Sequence, residues 1–208
     1  MRKSLVLATL LVLCCSAASL AGVPDPARSG CELKGLVVPC QYRFRCDGGL
    51  DCMTLCVTLR DAFDAPVDSC STSAAIVTSD AICSPCGLTK GGTTDAAGVI
   101  LFEWCRIGGR GSAEIRVTAH CVGEIEICTN AFDYTSPDLD ASCDPCPGPP
   151  FTANILDLGL WSGCLPPGPY CQASDYNCDG TVNILDLGVF AGGLTVCCDA
   201  ADCALELP

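Results

Sequence analysis

The segment Ala113-Glu114-Ile115-Arg116-Val117-Thr118 alternates apolar and polar side chains residue by residue. Because successive side chains of a β-strand point to opposite faces, this pattern predicts a strand with one buried and one solvated face. Four further short runs rich in apolar and β-branched residues surround it: Leu55–Leu59, Ala74–Thr78, Val99–Trp104 and Glu124–Thr129. Glycine-containing segments between the runs predict turns: Lys90-Gly91-Gly92, Ala97-Gly98 and Gly108-Gly109-Arg110-Gly111. Residues 22–135 are therefore predicted to be mainly β.

Several short strands separated by turn signals favour a β-sandwich of ordinary domain size. Two segments resemble bacterial invasin-like Ig domains. Val57–Val67, with the sequence VTLRDAFDAPV, resembles their strand-turn-strand pattern V-T-V-x-D-A-x-G-x-P-V. Thr94–Phe102, with the sequence TDAAGVILF, is similar to their T-D-A-x-G-x-x-x-F hairpin. The resemblance implies an Ig-like β-sandwich; it departs from the family at Asp64, where glycine is frequent, and in its many cysteines.

A short repeat marks a second region behind the β-module. The Pro- and Cys-rich residues 136–150 predict a linker, because proline suppresses helix and sheet interiors. In the tail that follows, residues 151–208, the sequence NILDLGLW of Asn154–Trp161 returns 29 residues later as NILDLGVF in Asn183–Phe190. Duplicated short units usually pack against each other, so the sequence predicts a small helical tail built from two related halves.

The segment DYNCDGTVNILD, residues 175–186, precedes and enters the second copy. Oxygen-bearing side chains stand at its alternate positions, Gly180 permits a sharp turn, and Asp186 closes the loop at the twelfth position. This is the spacing of an EF-hand-type loop, which surrounds Ca²⁺ with hard oxygen ligands. Thr181 would contribute its backbone carbonyl and Asn183 its side chain or a bound water. The candidate ligands are Asp175, Asn177, Asp179, Thr181, Asn183 and Asp186.

The loop ends in Asn183-Ile184-Leu185-Asp186-Leu187, and in this it resembles the loop-helix units of type I dockerin modules. The resemblance implies Ca²⁺ as the cofactor and a cohesin-like protein as the partner. It also marks Ile155-Leu156 and Ile184-Leu185 as candidate partner-binding residues, because dockerins present the corresponding positions to the cohesin. The alternative, which the shortness of the helices favours, is that these four residues form the core between two packed helices.

The first copy departs from the loop pattern. Counting back eleven residues from Asp157 reaches Cys146, and the third and fifth positions would be Gly148 and Pro150, none of which supplies a carboxylate. The segment Asp138-Leu139-Asp140-Ala141-Ser142 resembles the beginning of such a loop, but it lies eight residues too early. An insertion has therefore split the first loop, and the sequence predicts that its calcium site is lost or weak.

Residues 1–21 have the three parts of a secretory signal peptide. Arg2 and Lys3 form the positive region, Leu5–Leu13 the apolar region, and Ser19-Leu20-Ala21 the small-residue cleavage site. A membrane anchor would need about 20 apolar residues, and no other segment is long and apolar enough to provide one. The sequence predicts a bacterial protein that is secreted or displayed at the cell surface, with no membrane span in the mature chain.

Removal of residues 1–21 takes away two cations and no acids, so the net charge of −13 becomes −15. Such a surface repels nucleic acids and anionic lipids, while its carboxylates suit divalent cations.

The mature chain keeps 19 of the 21 cysteines, which predicts a disulfide-rich scaffold in an exported protein. Zinc binding by Cys83-x-x-Cys86 and Cys143-x-x-Cys146 is the alternative, disfavoured because His120 is the sole histidine and belongs to neither pair. The odd number leaves a free thiol, an intermolecular bridge, or a different cleavage or lipidation site.

No enzyme motif accompanies these features. The single His120 allows no HExxH pair, no Gly-x-Ser-x-Gly elbow is present, and the β-module has only two glutamates together on one recognisable strand, Glu124 and Glu126. The sequence therefore predicts a non-catalytic protein. Three functions remain open: a structural or adhesive component of the cell surface or matrix, an adaptor whose tail docks to a cohesin-like partner, and a carbohydrate-binding β-module.

Overall fold

The computed structural model describes residues 22–45, 49–141 and 153–194. Over these ranges the chain is mainly β with several disulfides, as the sequence predicted. The strands are β1 Gly30–Lys34, β2 Tyr42–Arg43, β3 Met53–Thr58, β4 Ser71–Val77, β5 Ile82–Cys83, β6 Thr89–Thr93, β7 Val99–Trp104, β8 Gly108–Ala119 and β9 Ile125–Thr135. The helices are α1 Ile155–Ser162, α2 Ile184–Gly193 and a short 3-10 helix, Gln172–Ser174.

The strands form two sheets that share one apolar core. The first sheet has the order β1-β3-β7, and all its pairs are antiparallel. The second has the order β2-β9-β8-β4-β6, in which β2 and β9 are parallel and β5 pairs with β8 at the side. Buried side chains of both sheets, such as Leu55 and Trp104 from the first and Ile115 and Tyr134 from the second, belong to the same cluster. A disulfide from Cys31 in β1 to Cys128 in β9 also ties the sheets together.

All five runs predicted as strands lie largely within strands, and Val99–Trp104 has the predicted bounds. Two glycine segments predicted as turns are wrong: Lys90-Gly91-Gly92 lies in β6, and Gly108–Gly111 opens β8. Close neighbours, rather than a turn, favour glycine at two of these positions. A Cβ atom at Gly92 would meet the side chain of Ile100, and one at Gly108 would meet the carboxylate of Asp138.

The two segments that resemble invasin-like domains meet in space. The amide of Leu59 donates to the carbonyl of Gly98 at 2.7 Å, and Gly98 has a φ of 72°. A Cβ atom at Gly98 would collide with the carbonyl oxygen of Leu59, so both the conformation and the space favour glycine. Asp64, where glycine is frequent in that family, has a φ of 64°, a left-handed conformation that aspartate tolerates better than most residues.

The tail has a small core of its own. The indole of Trp161 and the ring of Phe190, which end the two copies of the repeat, stack with centroids 6.1 Å apart. The prediction that the copies pack against each other is thereby confirmed. The buried members of the core are Leu139, Ala153, Trp161, Cys164, Tyr176, Val182 and Phe190.

The described part of the predicted linker, residues 136–141, packs against both regions of the chain. Ser136 and Asp138 are buried, and Leu139 belongs to the tail core. Residues 142–150, like the predicted signal peptide 1–21, lie outside the described residues. No helix within the described ranges is long and apolar enough to cross a membrane.

Disulfides account for most of the described cysteines. The bonds are Cys31–Cys128, Cys40–Cys178, Cys52–Cys105, Cys70–Cys121 and Cys164–Cys171. Cys83 and Cys86 are disulfide-bonded as well, which leaves no thiolates for zinc at that pair. Cys56 in β3 is the one free cysteine of the described residues.

Candidate metal centre and docking surface

The two copies of the repeat begin with the same hydrogen-bonded cap. In α1 the Oδ1 atom of Asn154 accepts from the amide of Leu156 at 2.7 Å, and Asp157 Oδ2 accepts from the amide of Asn154 at 2.7 Å. The same pair of bonds in α2 measures 2.8 Å at Asn183 and 2.9 Å at Asp186. This reciprocal capping satisfies amides that the first helical turn leaves unpaired. The asparagine and aspartate that both copies share thus fix where each helix begins.

Asp175, the first residue of the predicted calcium loop, is fully buried. Its Oδ2 atom accepts from the amide of Gly180 and from the hydroxyl of Tyr170, both at 2.8 Å. Burial, followed by the hydrogen bond to Asp175, raises the pKa of Tyr170 to about 12. Gly180 has a φ of 86°, which provides the sharp turn that its place in the loop requires.

Asp179 and its neighbours form the exposed part of the loop. The Oδ1 atom of Asp179 accepts from both the hydroxyl and the amide of Thr181, at 2.6 Å and 2.9 Å. These bonds, with the hydroxyl contributing most, lower the pKa of Asp179, so the carboxylate stays charged in moderately acidic solution. Its Oδ2 atom accepts from the side-chain amide of Asn177 at 3.0 Å.

Asp186 closes the loop. Beyond its cap bond, its Oδ1 atom accepts from the amides of Tyr176 at 2.8 Å and Asn177 at 3.2 Å. The side-chain oxygen of Asn183 serves the helix cap, so a contribution of this residue to an ion would come through water or its carbonyl. The loop therefore contains hard oxygen donors, in its carboxylates, an amide side chain and backbone carbonyls, of the type that Ca²⁺ takes.

The acidic cluster whose oxygens converge most closely lies at the first copy instead. Oxygens of Asp138, Asp140 and Asp157 all lie within 4.8 Å of one another, a convergence that is not found for Asp175, Asp179 and Asp186. Burial raises the pKa of Asp157, and the charge of Asp140 adds to the rise, while hydrogen bonds from the amides of Asn154 and Asp140 act in the opposite direction. Repulsion among three carboxylates would be relieved by a cation.

The segment Asp138-Leu139-Asp140 occupies the place that the beginning of the second loop has beside Asp186. The amide of Asp140 donates to Asp157 Oδ1 at 3.1 Å, as the amide of Asn177 donates to Asp186 Oδ1 at 3.2 Å. Leu139 enters the tail core as Tyr176 does. The sequence identified this segment as a displaced loop start and predicted that its calcium site is lost or weak. The structure places the displaced start beside Asp157, the closing aspartate of the first copy.

The four candidate partner-binding residues are exposed. Relative exposure is 75% for Ile155, 64% for Leu156, 72% for Ile184 and 64% for Leu185. The preferred interpretation from sequence, that they form the core between the helices, is wrong. Each helix buries its other face, where Asp157 and Trp161 lie in α1 and Asp186 and Phe190 lie in α2. The cap residues thereby turn an Ile-Leu pair toward solvent at the start of each helix.

The sole histidine lies apart from these features. The Nε2 atom of His120 is 2.8 Å from Ser73 Oγ, and this pair is exposed at the surface of the β-module.

No protein-family model matches the chain, and no curated protein matches it significantly.

Proposed function

We propose that the chain is an exported, non-catalytic adaptor in which an Ig-like β-module is joined to a calcium-stabilised, dockerin-like tail that docks to a cohesin-like partner. The observation that carries this proposal is the exposure of Ile155, Leu156, Ile184 and Leu185. Large apolar side chains that are grouped at a surface mark interaction sites more often than isolated ones do. Here they stand at equivalent positions of two related helices.

Calcium has a positioning role in this proposal. Asp175, Asn177, Asp179, Thr181 and Asp186 would hold the ion, and Asp186 also belongs to the cap of α2. An ion bound to Asp186 would stabilise the start of α2, because loop and helix share this carboxylate. Ile184 and Leu185 lie within the same first turn. Calcium binding would therefore order the surface that the partner contacts.

The strand order supports an Ig-like assignment of the β-module. The first sheet combines strands β1, β3 and β7, and β9, β8 and β4 neighbour one another in the second. Without the two-residue strands, this matches the A-B-E and G-F-C groups of an Ig sandwich. The contact between Leu59 and Gly98 joins the two segments that resemble invasin-like domains. The strand β6 pairs with β4 rather than with β7, as strand C′, which variable-type Ig domains add to the G-F-C sheet, would do.

Export is supported by the covalent chemistry of the chain. Four of the five disulfides whose partners are both described join residues 51 to 138 positions apart, and the fifth, Cys164–Cys171, joins residues seven positions apart. Such bonds persist in oxidising compartments. The acidic charge argues against nucleic acid as the partner.

Capture on immobilised cohesin domains, in calcium and then in chelator, tests the docking proposal. The wild type should be retained in calcium and released by chelator. A variant with all four exposed residues changed to serine should lose retention, because the apolar contact area is removed while the capping residues remain. Val122→Ser is the matched control, since Val122 is an exposed apolar residue of the β-module.

Two outcomes would contradict docking. Equal retention of the fourfold variant would show that these side chains do not form the contact. Absence of retention of the calcium-loaded wild type on a panel of cohesins would favour the other role, a structural or adhesive component of the cell surface or matrix with a calcium-rigidified tail. A glycan array probed with the same protein would detect carbohydrate binding by the β-module.

A further inference from the structure

We infer that the β-module positions the calcium loop, because residues Cys40, Gln41 and Arg43 hold loop residues 175–178 in place. The calcium affinity of the tail therefore depends on the β-module. This inference rests on the proposed calcium site. It assigns positioning residues about 130 positions before the loop, and it predicts that the tail is not an autonomous calcium-binding unit.

The first tie is covalent. Cys178, the fourth residue of the loop, forms a disulfide with Cys40, 138 residues earlier in the chain. The fourth position of an EF-hand-type loop supplies no ligand, so the bond fixes the loop without consuming an oxygen donor. Cys178 has a φ of 58°, a left-handed conformation that non-glycine residues adopt at a cost. The disulfide holds this residue between the candidate ligands Asn177 and Asp179.

The second tie is made by the side chain of Gln41, which is almost fully buried. Its Nε2 atom donates to the carbonyl of Asp175 at 3.0 Å and to the carbonyl of Gln172 at 2.9 Å. One amide side chain thus donates hydrogen bonds to backbone carbonyls on both sides of the turn that leads into the loop. Because an unpaired buried carbonyl costs free energy, loss of this amide would favour movement of Asp175.

The third tie is made by Arg43 of β2. Its Nη1 atom donates to the carbonyl of Tyr176 at 3.3 Å, while its Nε atom pairs with Asp51 Oδ2 at 3.3 Å. The side chain of Asp51 is buried and also accepts from the amide of Arg43 at 2.9 Å, which fixes the guanidinium. The carbonyls of the first two loop residues are thereby each held by a side chain of the β-module.

The end of β9 supports the same place. The hydroxyl of Tyr176 donates to the carbonyl of Ser136 at 3.1 Å, and Thr135 Oγ1 donates to the carbonyl of Ala173 at 2.6 Å. Tyr176 itself is fully buried in the tail core. Side chains that orient metal ligands in this way typically change metal affinity by about 10–100-fold when they are removed.

Calorimetric calcium titration of the full mature chain tests the inference. We expect the affinity of the loop site to fall about tenfold or more in the double variant Cys40→Ser/Cys178→Ser. The control is Cys70→Ser/Cys121→Ser, which removes a disulfide of the β-module that does not reach the tail and should leave the affinity unchanged. Asp175→Ala identifies the heat that belongs to the loop.

Gln41→Met is the second variant, in case the double variant does not fold. It keeps the length of the side chain and removes both hydrogen bonds, so it should weaken calcium binding while circular dichroism shows an intact β-module. Wild-type affinity in a folded Gln41→Met chain and in a folded Cys40→Ser/Cys178→Ser chain would overturn the inference and leave the calcium proposal standing. A wild type that takes up no calcium would overturn both.

Discussion

The carboxylate of Asp61 accepts a hydrogen bond of 3.1 Å from the backbone nitrogen of Gly22, 39 residues earlier in the chain. Its other oxygen accepts from the amides of Phe63 and Ala65, both at 2.9 Å. Asp61 thus connects the beginning of the described chain to the turn after β3. The bond from Gly22 contributes most to a lowered pKa of the Asp61 carboxyl.

This arrangement predicts an acid-sensitive contribution to stability. The folded state lowers the pKa of Asp61 below its ordinary value of 3.8, so the stabilisation is complete above that value and is lost as the pH falls through the lowered pKa. Asp61→Asn should therefore be less stable than the wild type near pH 7, and the difference should shrink toward pH 3 in urea unfolding series. Asp64→Asn, in the same turn but exposed, is the control; a gap that persists at low pH would contradict the prediction.

The two acidic groups of the tail predict different results in a calcium titration. We expect one ion per chain, bound at the loop, because its residues follow the complete EF-hand spacing. Its heat should vanish in Asp175→Ala and remain in Asp138→Ala, which changes the equivalent residue of the first copy. A second ion that disappears in Asp138→Ala would assign a cation to Asp138, Asp140 and Asp157, whose oxygens lie within 4.8 Å of one another.

The stacked rings of the tail predict a large effect of truncation. Phe190→Ala removes a fully buried ring that packs on Trp161, and it should reduce the free energy of unfolding by about 3–5 kcal/mol. Leu194→Ala, at a partly exposed position after α2, should cost far less. Thermal unfolding followed by tryptophan fluorescence measures both. Equal midpoints for the two variants would mean that the tail core contributes little to stability.

The close approach at Gly98 predicts a difference between two glycines. Gly98 and Gly123 both have positive φ, at 72° and 117°, but only at Gly98 would a Cβ atom meet the backbone of Leu59 and Val67. Gly98→Ala should therefore lose more stability than Gly123→Ala, for which nothing lies within 4 Å. Each substitution should lower the free energy of unfolding by about 1 kcal/mol or more, because alanine disfavours positive φ. The additional loss in Gly98→Ala measures the effect of the collision. Denaturant midpoints compare the two directly.

The sequence predicted most strongly where local pattern and final environment agree. The segment Ala113–Thr118 lies in β8, between β9 and β4, and the run Val99–Trp104 forms β7, at the edge of the first sheet. In both, alternate side chains are buried in the core, so the sequence pattern reveals the strand. The strand β6 was missed because Gly91 and Gly92 carry no side-chain pattern, and their pairing with β4 is a tertiary contact.

In the tail, local spacing could be recognised from the sequence, but contacts between distant residues could not. The spacing of residues 175–186 is local and could be recognised, whereas Asp138 and Asp157 are separated by an insertion that hides their proximity. The hydrophobicity of Ile184 and Leu185 suggested burial, but both are exposed. The helix cap and the burial of Phe190 decide which face of this short helix is covered. The pairing of Cys40 with Cys178 could not be predicted, since spacing alone does not specify disulfide connectivity.

The bond between Cys40 and Cys178 also imposes an order on biosynthesis. A ribosome releases Cys40 long before Cys178, so the earlier thiol must wait while many other cysteines emerge. Its correct partner is made 138 residues later. Until then the thiol is open to mispairing, and any wrong bond has to be exchanged before Cys40 can pair with Cys178.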